Sequence, residues 1–184
     1  NYVKEFEVLN WVALDLFSTY KPQAQSVMKE LEFFETSGEY GTESVWLDLL
    51  ENTKNTFDLM GIALTSWRRT RDFRKILKHK AENGCKVRIL LMSQGNPVLE
   101  GLIYSNTEMS PETVKQDIDQ SYAFYKMIAQ ECENIEVRQV QKGIPHFFLT
   151  RSDKYVVIIQ YLSSQTWGTG PLWRCIPECK LYNV

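Results

Sequence analysis

Histidine is scarce in this chain: only His79 and His146 occur among 184 residues, so any imidazole chemistry must come from one of those two positions. Long hydrophobic runs are missing, none approaching the roughly 20 residues of a membrane-spanning helix, and nothing at the start has the layout of a signal peptide. Excess charge of one sign is missing too. The 21 Lys and Arg against 23 Asp and Glu leave a net charge of −2, which gives no general attraction to nucleic acid or to an anionic membrane. Neither a P-loop nor a dinucleotide fingerprint is present. Cysteine is sparse, at four residues (Cys85, Cys132, Cys175, Cys179), without the dense spacing of small disulfide-rich secreted domains. Two disulfides remain open to a secreted chain, but reduced thiols in the cytoplasm fit this size better. Cys175 and Cys179 form C-x3-C, and a zinc site would need two further ligands. Neither a metal nor a cofactor is expected.

What is present is an ordinary globular composition, 43% hydrophobic and 24% charged, in a length that suits one domain with a real core. The chain begins at Asn1 rather than Met, so a domain upstream is expected. Residues 3 to 20 place Phe6, Leu9, Ala13, Leu16, Phe17 and Tyr20 at helical spacing, and Lys21-Pro22 ends that helix. Residues 23 to 35 fit a short helix or an edge strand, and Ser37 to Gly41 reads as a loop. We therefore expect a helical connector and loop over 1–41 and a domain over 42–184.

Within that domain Thr42 reads as an N-cap for a helix burying Val45, Trp46, Leu49 and Leu50 and ending near Asn55. Phe57 to Thr65 reads as a central strand, Ser66 to Arg71 as a polar loop, and Asp72 to Asn83 as a helix closed by Gly84. Val87 to Met92 is a second central strand, so the three form a parallel crossover. Residues 98 to 109 carry no clear pattern. Ser110-Pro111 is a strong helix start, and Val114, Ile118, Tyr122, Tyr125, Ala129 and Cys132 form the buried stripe of a long helix. Ile135 to Val140 is a further strand. From Ser163 onward the pattern is irregular. The sum is an α/β fold with a mixed central sheet and helices on both faces.

The stretch IPHFFLTRSDKYVVII, from Ile144 to Ile159, reads as a β-hairpin turning over Arg151 to Lys154. Strand alternation sets His146, Phe148 and Thr150 on one face, with Asp153 at the turn. The spacing His146, Phe148, Asp153 resembles the H-x-K-x4-D motif of the phospholipase D superfamily, with the lysine replaced. The strand–helix–strand unit upstream, from TFDLMGIALTSW to GCKVRILLMS, is similar to the family's first unit, and the resemblance covers about Thr42 to Trp173. It looks closest to the degenerate domains appended to bacterial regulators and defence proteins. The resemblance implies a phospholipase D-like α/β/α sandwich in which the histidine attacks phosphorus, the lysine binds phosphoryl oxygens and a second copy supplies the acid.

This chain departs from that pattern. Phe148 stands for the lysine, and Gln160, Tyr161 and Ser164 fall where the family's hairpin continues with its Gly-Ser pair and Asn. Phosphoryl transfer depends on cations placed around the non-bridging oxygens, and Phe148 offers only an apolar face. His146 and Asp153 are thus expected to be a relic of a catalytic pair. A second candidate site is Ser66-Trp67-Arg68-Arg69-Thr70-Arg71, at the carboxyl end of a strand and the start of a helix. It reads either as an anion site, Trp67 stacking a base, or as the solvated face of an amphipathic helix. Thr166 to Trp173 can close over the same end as a lid.

Three functions remain open on sequence alone: a non-catalytic sensor or interaction module regulating a fused upstream domain, a homodimeric phosphodiesterase or nuclease using His146, and a purely structural partner-binding domain. The first fits the lost lysine best. Its expected ligand is a phosphorylated small molecule or nucleotide, held by Ser66, Trp67, Arg68, Arg69 and Phe148. A homodimer is expected as a partner state, and no membrane.

Overall fold

The computed structural model describes residues 31–104, 110–143, 145–161 and 170–177. The helix expected over 3–20, most of the lid stretch and Cys179 lie outside the described residues. Seven strands form one mixed sheet in the order β1-β7-β6-β5-β2-β3-β4. They are β1 (Leu31–Phe34), β2 (Thr56–Gly61), β3 (Lys86–Met92), β4 (Ile135–Val140), β5 (Phe147–Arg151), β6 (Val156–Gln160) and β7 (Leu172–Cys175). β2, β3 and β4 are mutually parallel, whereas β5, β6, β7 and β1 add antiparallel in turn. This is the α/β fold with a mixed sheet that the sequence implied.

The helices are α1 (Ser37–Tyr40), α2 (Glu43–Glu51), α3 (Thr65–Arg69), α4 (Phe73–Glu82), α5 (Leu99–Tyr104) and α6 (Pro111–Glu131). Ser110 caps α6 through its side chain, which accepts from the Thr113 N–H, with Pro111 at the first position. Along α6 the buried residues Val114, Ile118, Ser121, Tyr125 and Ile128 step by fours and threes, the period that keeps one stripe inward. Phe73, Leu77 and Ala81 do the same on α4. The α4 stripe and Tyr125 and Ile128 of α6 meet Phe57, Leu59, Val87, Ile89, Leu91 and Val157 in one core, while Val114 and Ile118 pack with Ile62, Met92, Leu99 and Ile103 in a second. Complete burial of each large apolar side chain is worth roughly 1.5–3 kcal/mol, so this cluster is the main source of stability. All of those sheet residues share one parity. At this cluster α4 and α6 therefore cover one face of the sheet, while Met92, of the opposite parity, packs with Leu99 and Ile103 of α5.

Three local expectations are corrected. Ser37 to Gly41 is not a loop, because Thr36 caps α1 by accepting from the Glu39 N–H while Glu39 accepts from the Glu35 N–H, a near relative of the capping box. β2 stops at Gly61 rather than Thr65, since Leu64 adopts φ +53° and starts α3. The irregular tail contributes β7, which lies between β6 and β1. Leu31–Phe34, in the stretch that fitted a short helix or an edge strand, is an edge strand of the same sheet.

The hairpin of β5 and β6 forms as expected, and its turn locates Asp153. One carboxylate oxygen accepts from the backbone N–H groups of Lys54 (2.6 Å) and Asn55 (2.9 Å), the other from that of Thr56 (2.9 Å). The side chain thus anchors the hairpin turn to the entry of β2. Burial raises the Asp153 pKa, but the hydrogen bonds from Lys54, Thr56 and Asn55 outweigh it, and the net direction is down. A carboxylate with a depressed folded-state pKa contributes stability that is present above its unfolded value, near 4, and is lost as pH falls through the folded one. Asp153→Asn should therefore lower unfolding free energy at pH 7 by roughly 1–3 kcal/mol and flatten the acid limb below about pH 4, read by urea denaturation across pH. An unchanged acid limb would remove Asp153 from this role.

Candidate functional site

The carboxyl end of β2 opens onto a cavity of about 590 Å³. Local backbone chemistry shapes it. Gly61 ends the strand because a Cβ there would lie 2.8 Å from Leu64 Cδ2, 2.9 Å from the Tyr161 hydroxyl and 3.3 Å from Phe148 Cδ2. The chain then turns through Leu64 in the left-handed region, a conformation costing a non-glycine residue roughly 1–2 kcal/mol. The buried Tyr125 hydroxyl donates to the Leu64 carbonyl at 2.8 Å and holds the turn in place. Tyr161 accepts from the Ile62 N–H at 3.2 Å. Burial raises the pKa of both phenols, so each stays neutral.

The wall is aromatic. Trp46 from α2 meets Phe148 from β5 edge-on at 6.0 Å and Trp67 from α3 at 6.2 Å. Trp67 is 3% exposed and also contacts Phe57 and Phe73, so it is a core residue with an edge on the cavity. The polar side comes from α3 and α6. Asp117 accepts from Arg68 at 2.9 Å and from Arg69 at 3.2 Å, and Arg68 also donates to Ser121 at 3.1 Å. Arg68 is thereby tied inward, while the Arg69 side chain is 67% exposed at the mouth. Thr65, Ser66 and Thr70 add hydroxyls, and Glu43 adds a second carboxylate.

Of the residues expected at a site, the cavity brings together Ser66, Trp67, Arg69 and Phe148, with Arg68 behind Asp117. The Ser66–Arg71 segment is mostly the short helix α3 rather than a loop, and its two inner arginines are engaged with a carboxylate. His146 is exposed and precedes β5; it is outside the cavity lining, and its carbonyl accepts from the Tyr161 N–H at 3.3 Å. Phe148 is directed into the cavity wall instead. Asp153 lies at the other end of β5, beside the start of β2. The pair expected as a catalytic relic is therefore split between opposite ends of one strand, with Asp153 engaged in structural hydrogen bonds. His79 is exposed on α4, within reach of Asn83. Cys175 is buried, and its thiol donates to the Val156 carbonyl at 3.6 Å. Among the described residues no group of three or more His, Cys, Asp or Glu is placed to hold a metal.

Sequence reasoning missed Gly61, Asp117 and Tyr161 as site residues. Gly61 in an otherwise apolar strand was the available signal, since such a glycine marks a close approach. Asp117 gave none, because its partners are 48 and 49 residues away.

No protein-family model matches the sequence, and no curated protein does. Solved structures do show likeness. TrmBL2, an archaeal chromatin protein with a novel mode of DNA binding, aligns at TM-score 0.47 and 14% identity over 99% of this chain and 59% of its own. Nuc from Salmonella typhimurium, a phospholipase D family member, aligns at TM-score 0.44 and 16% identity over 84% of this chain and 88% of its own. Phosphatidylserine synthase from Haemophilus influenzae aligns at 0.45 and 14%, over 83% and 36%. The chain thus spans less than two thirds of the first of these proteins and about a third of the third.

Gly61→Ala tests the cavity's geometry. In an unencumbered strand alanine is better than glycine by roughly 0.5–1 kcal/mol. Here the added methyl must displace Leu64 and Tyr161 and crowd Phe148, so we expect the opposite sign, a loss of about 1–3 kcal/mol in urea denaturation, with a shift in tryptophan emission. A stabilised variant would show that this wall yields freely.

Proposed function

We propose that this protein is a non-catalytic sensor module of phospholipase D-like fold, whose cavity at the end of β2 binds a small phosphorylated ligand and whose occupancy regulates a domain fused to it. The observation that carries this reading is Phe148. It occupies the position where the motif resemblance calls for a phosphate-binding lysine, and it forms an apolar wall with Trp46. Such a wall suits the flat face of a base or the apolar face of a sugar ring.

Charge sets the ligand class. Arg68 and Arg69 against Asp117 and Glu43 sum to about zero, so the site does not favour a polyanion. Arg69, the exposed cation at the mouth, can meet one anionic group. A nucleoside monophosphate or a sugar monophosphate fits this distribution. No described helix is long and apolar enough to cross a membrane, and the reading requires none.

Calorimetry and tryptophan emission with nucleoside monophosphates and sugar phosphates test it. Binding should weaken with salt, since an exposed arginine–phosphate contact is screened. Arg69→Ala should weaken it about tenfold, the scale of one charge-assisted hydrogen bond, and Asp117→Asn should tighten it. The absence of heat from folded protein would overturn the proposal. Metal-independent hydrolysis of bis-nitrophenyl phosphate that vanishes in His146→Ala would replace it with the homodimeric phosphodiesterase.

A further inference from the structure

Asp117 presents its two carboxylate oxygens to different surroundings. Both arginines take the same one: Oδ1 accepts from Arg68 Nη2 at 2.9 Å and from Arg69 Nη2 at 3.2 Å. Oδ2 accepts from no donor among the described residues, and it is not sealed from solvent. Asp117 lines the cavity with its side chain only 15% exposed, and the two arginines fix its orientation. The same two guanidinium groups balance its charge. What Oδ2 lacks is therefore a hydrogen-bond donor rather than a cation. A carboxylate oxygen has lone pairs for two donors, which adjacent hydroxyls on one ring supply together.

We infer that Asp117 Oδ2 accepts from the 2′- and 3′-hydroxyls of a ribose, which makes the ligand a ribonucleoside 5′-monophosphate rather than its deoxy counterpart. This rests on the cavity being the ligand site proposed above. Position selects the sugar. Arg69 spends Nη2 on Asp117, while its Nε and Nη1 have no partner among the described residues. A phosphate on that free edge of Arg69 stands beside Asp117, because the two side chains touch. The part of a nucleotide next to its phosphate is the sugar, so the sugar is what reaches Oδ2. The base then falls on the apolar wall of Trp46 and Phe148. A base amino group is the poorer donor here, since it lies at the far end of the nucleotide from the phosphate. A diphosphate is disfavoured as well, because its added charge would face Asp117 at close range.

Calorimetry on the full chain tests this, with the adenosine, guanosine, cytidine and uridine 5′-monophosphates each set against its 2′-deoxy form. In the pair whose base suits the wall, the ribonucleotide should bind about tenfold or more tighter, the scale of one hydrogen bond to a charged group. Asp117→Asn keeps a carbonyl for the arginines and puts an amide donor in place of Oδ2. It should tighten both members of the pair and bring them within about threefold of each other, because the discriminating acceptor is gone. Equal affinity of the ribo and deoxy forms for the unaltered protein would overturn the inference and leave the cavity reading standing. A ratio unchanged in folded Asp117→Asn would also overturn it, by placing the hydroxyl contact elsewhere. No heat from either member of any pair would overturn the inference together with the reading beneath it.

Discussion

The hydrogen bond from the buried Tyr125 hydroxyl to the Leu64 carbonyl ties the centre of the long helix α6 to the end of the central strand. Leu64 sits in a backbone region that costs free energy for a leucine, and its carbonyl accepts both from this phenol and, at 3.3 Å, from the Arg68 N–H that begins α3. The phenol and the first turn of α3 together hold the turn. From it follow the start of α3, the placing of Arg68 against Asp117 and Ser121, and the volume enclosed between α2, α3 and β5. A shallow strand end becomes a cavity because the chain reverses there within three residues of Gly61.

Much of this was legible where local chemistry governs. Ser110-Pro111 and the stripe through Tyr125 identified α6, and the apolar residues of 87–92 identified a central strand. The α/β class followed from those periods. The strand β7 was not legible, because Leu172 to Cys175 is four residues long and pairs with β1, which lies some 140 residues away. Its pairing is a property of register across the sheet and leaves no local period. Asp117 failed for the same reason. Its position on α6 reads as solvated, and only the fold brings two arginines to it.

The motif resemblance illustrates a further limit. Asp153 retains its spacing from His146, yet its carboxylate is occupied by the N–H groups that begin β2. Those donors would be left unpaired near the sheet's end if the aspartate were lost. The hairpin and the entry to the central strand therefore demand an acceptor at this turn whether or not chemistry occurs. Half of the apparent motif is architectural. Of the other two positions, His146 is exposed and Phe148 is buried in the cavity wall.

Strand β5 joins the two faces of the sheet through alternation alone. Phe148 and Thr150 face the helices and the cavity; Phe147, Leu149 and Arg151 face the other side. A displacement of Phe148 would be opposed on one side by Gly61, which has no side chain to yield, and transmitted along a backbone paired with β2 and β6. Close-packed interiors resist small volume changes and pass strain to their neighbours. The neighbours of Phe148 along the strand are residues of the opposite face. Any shift of the cavity wall at Phe148 would therefore reach Phe147 and Leu149 on the opposite face within one peptide unit, which couples the two faces of the sheet through β5 rather than through the helical layer.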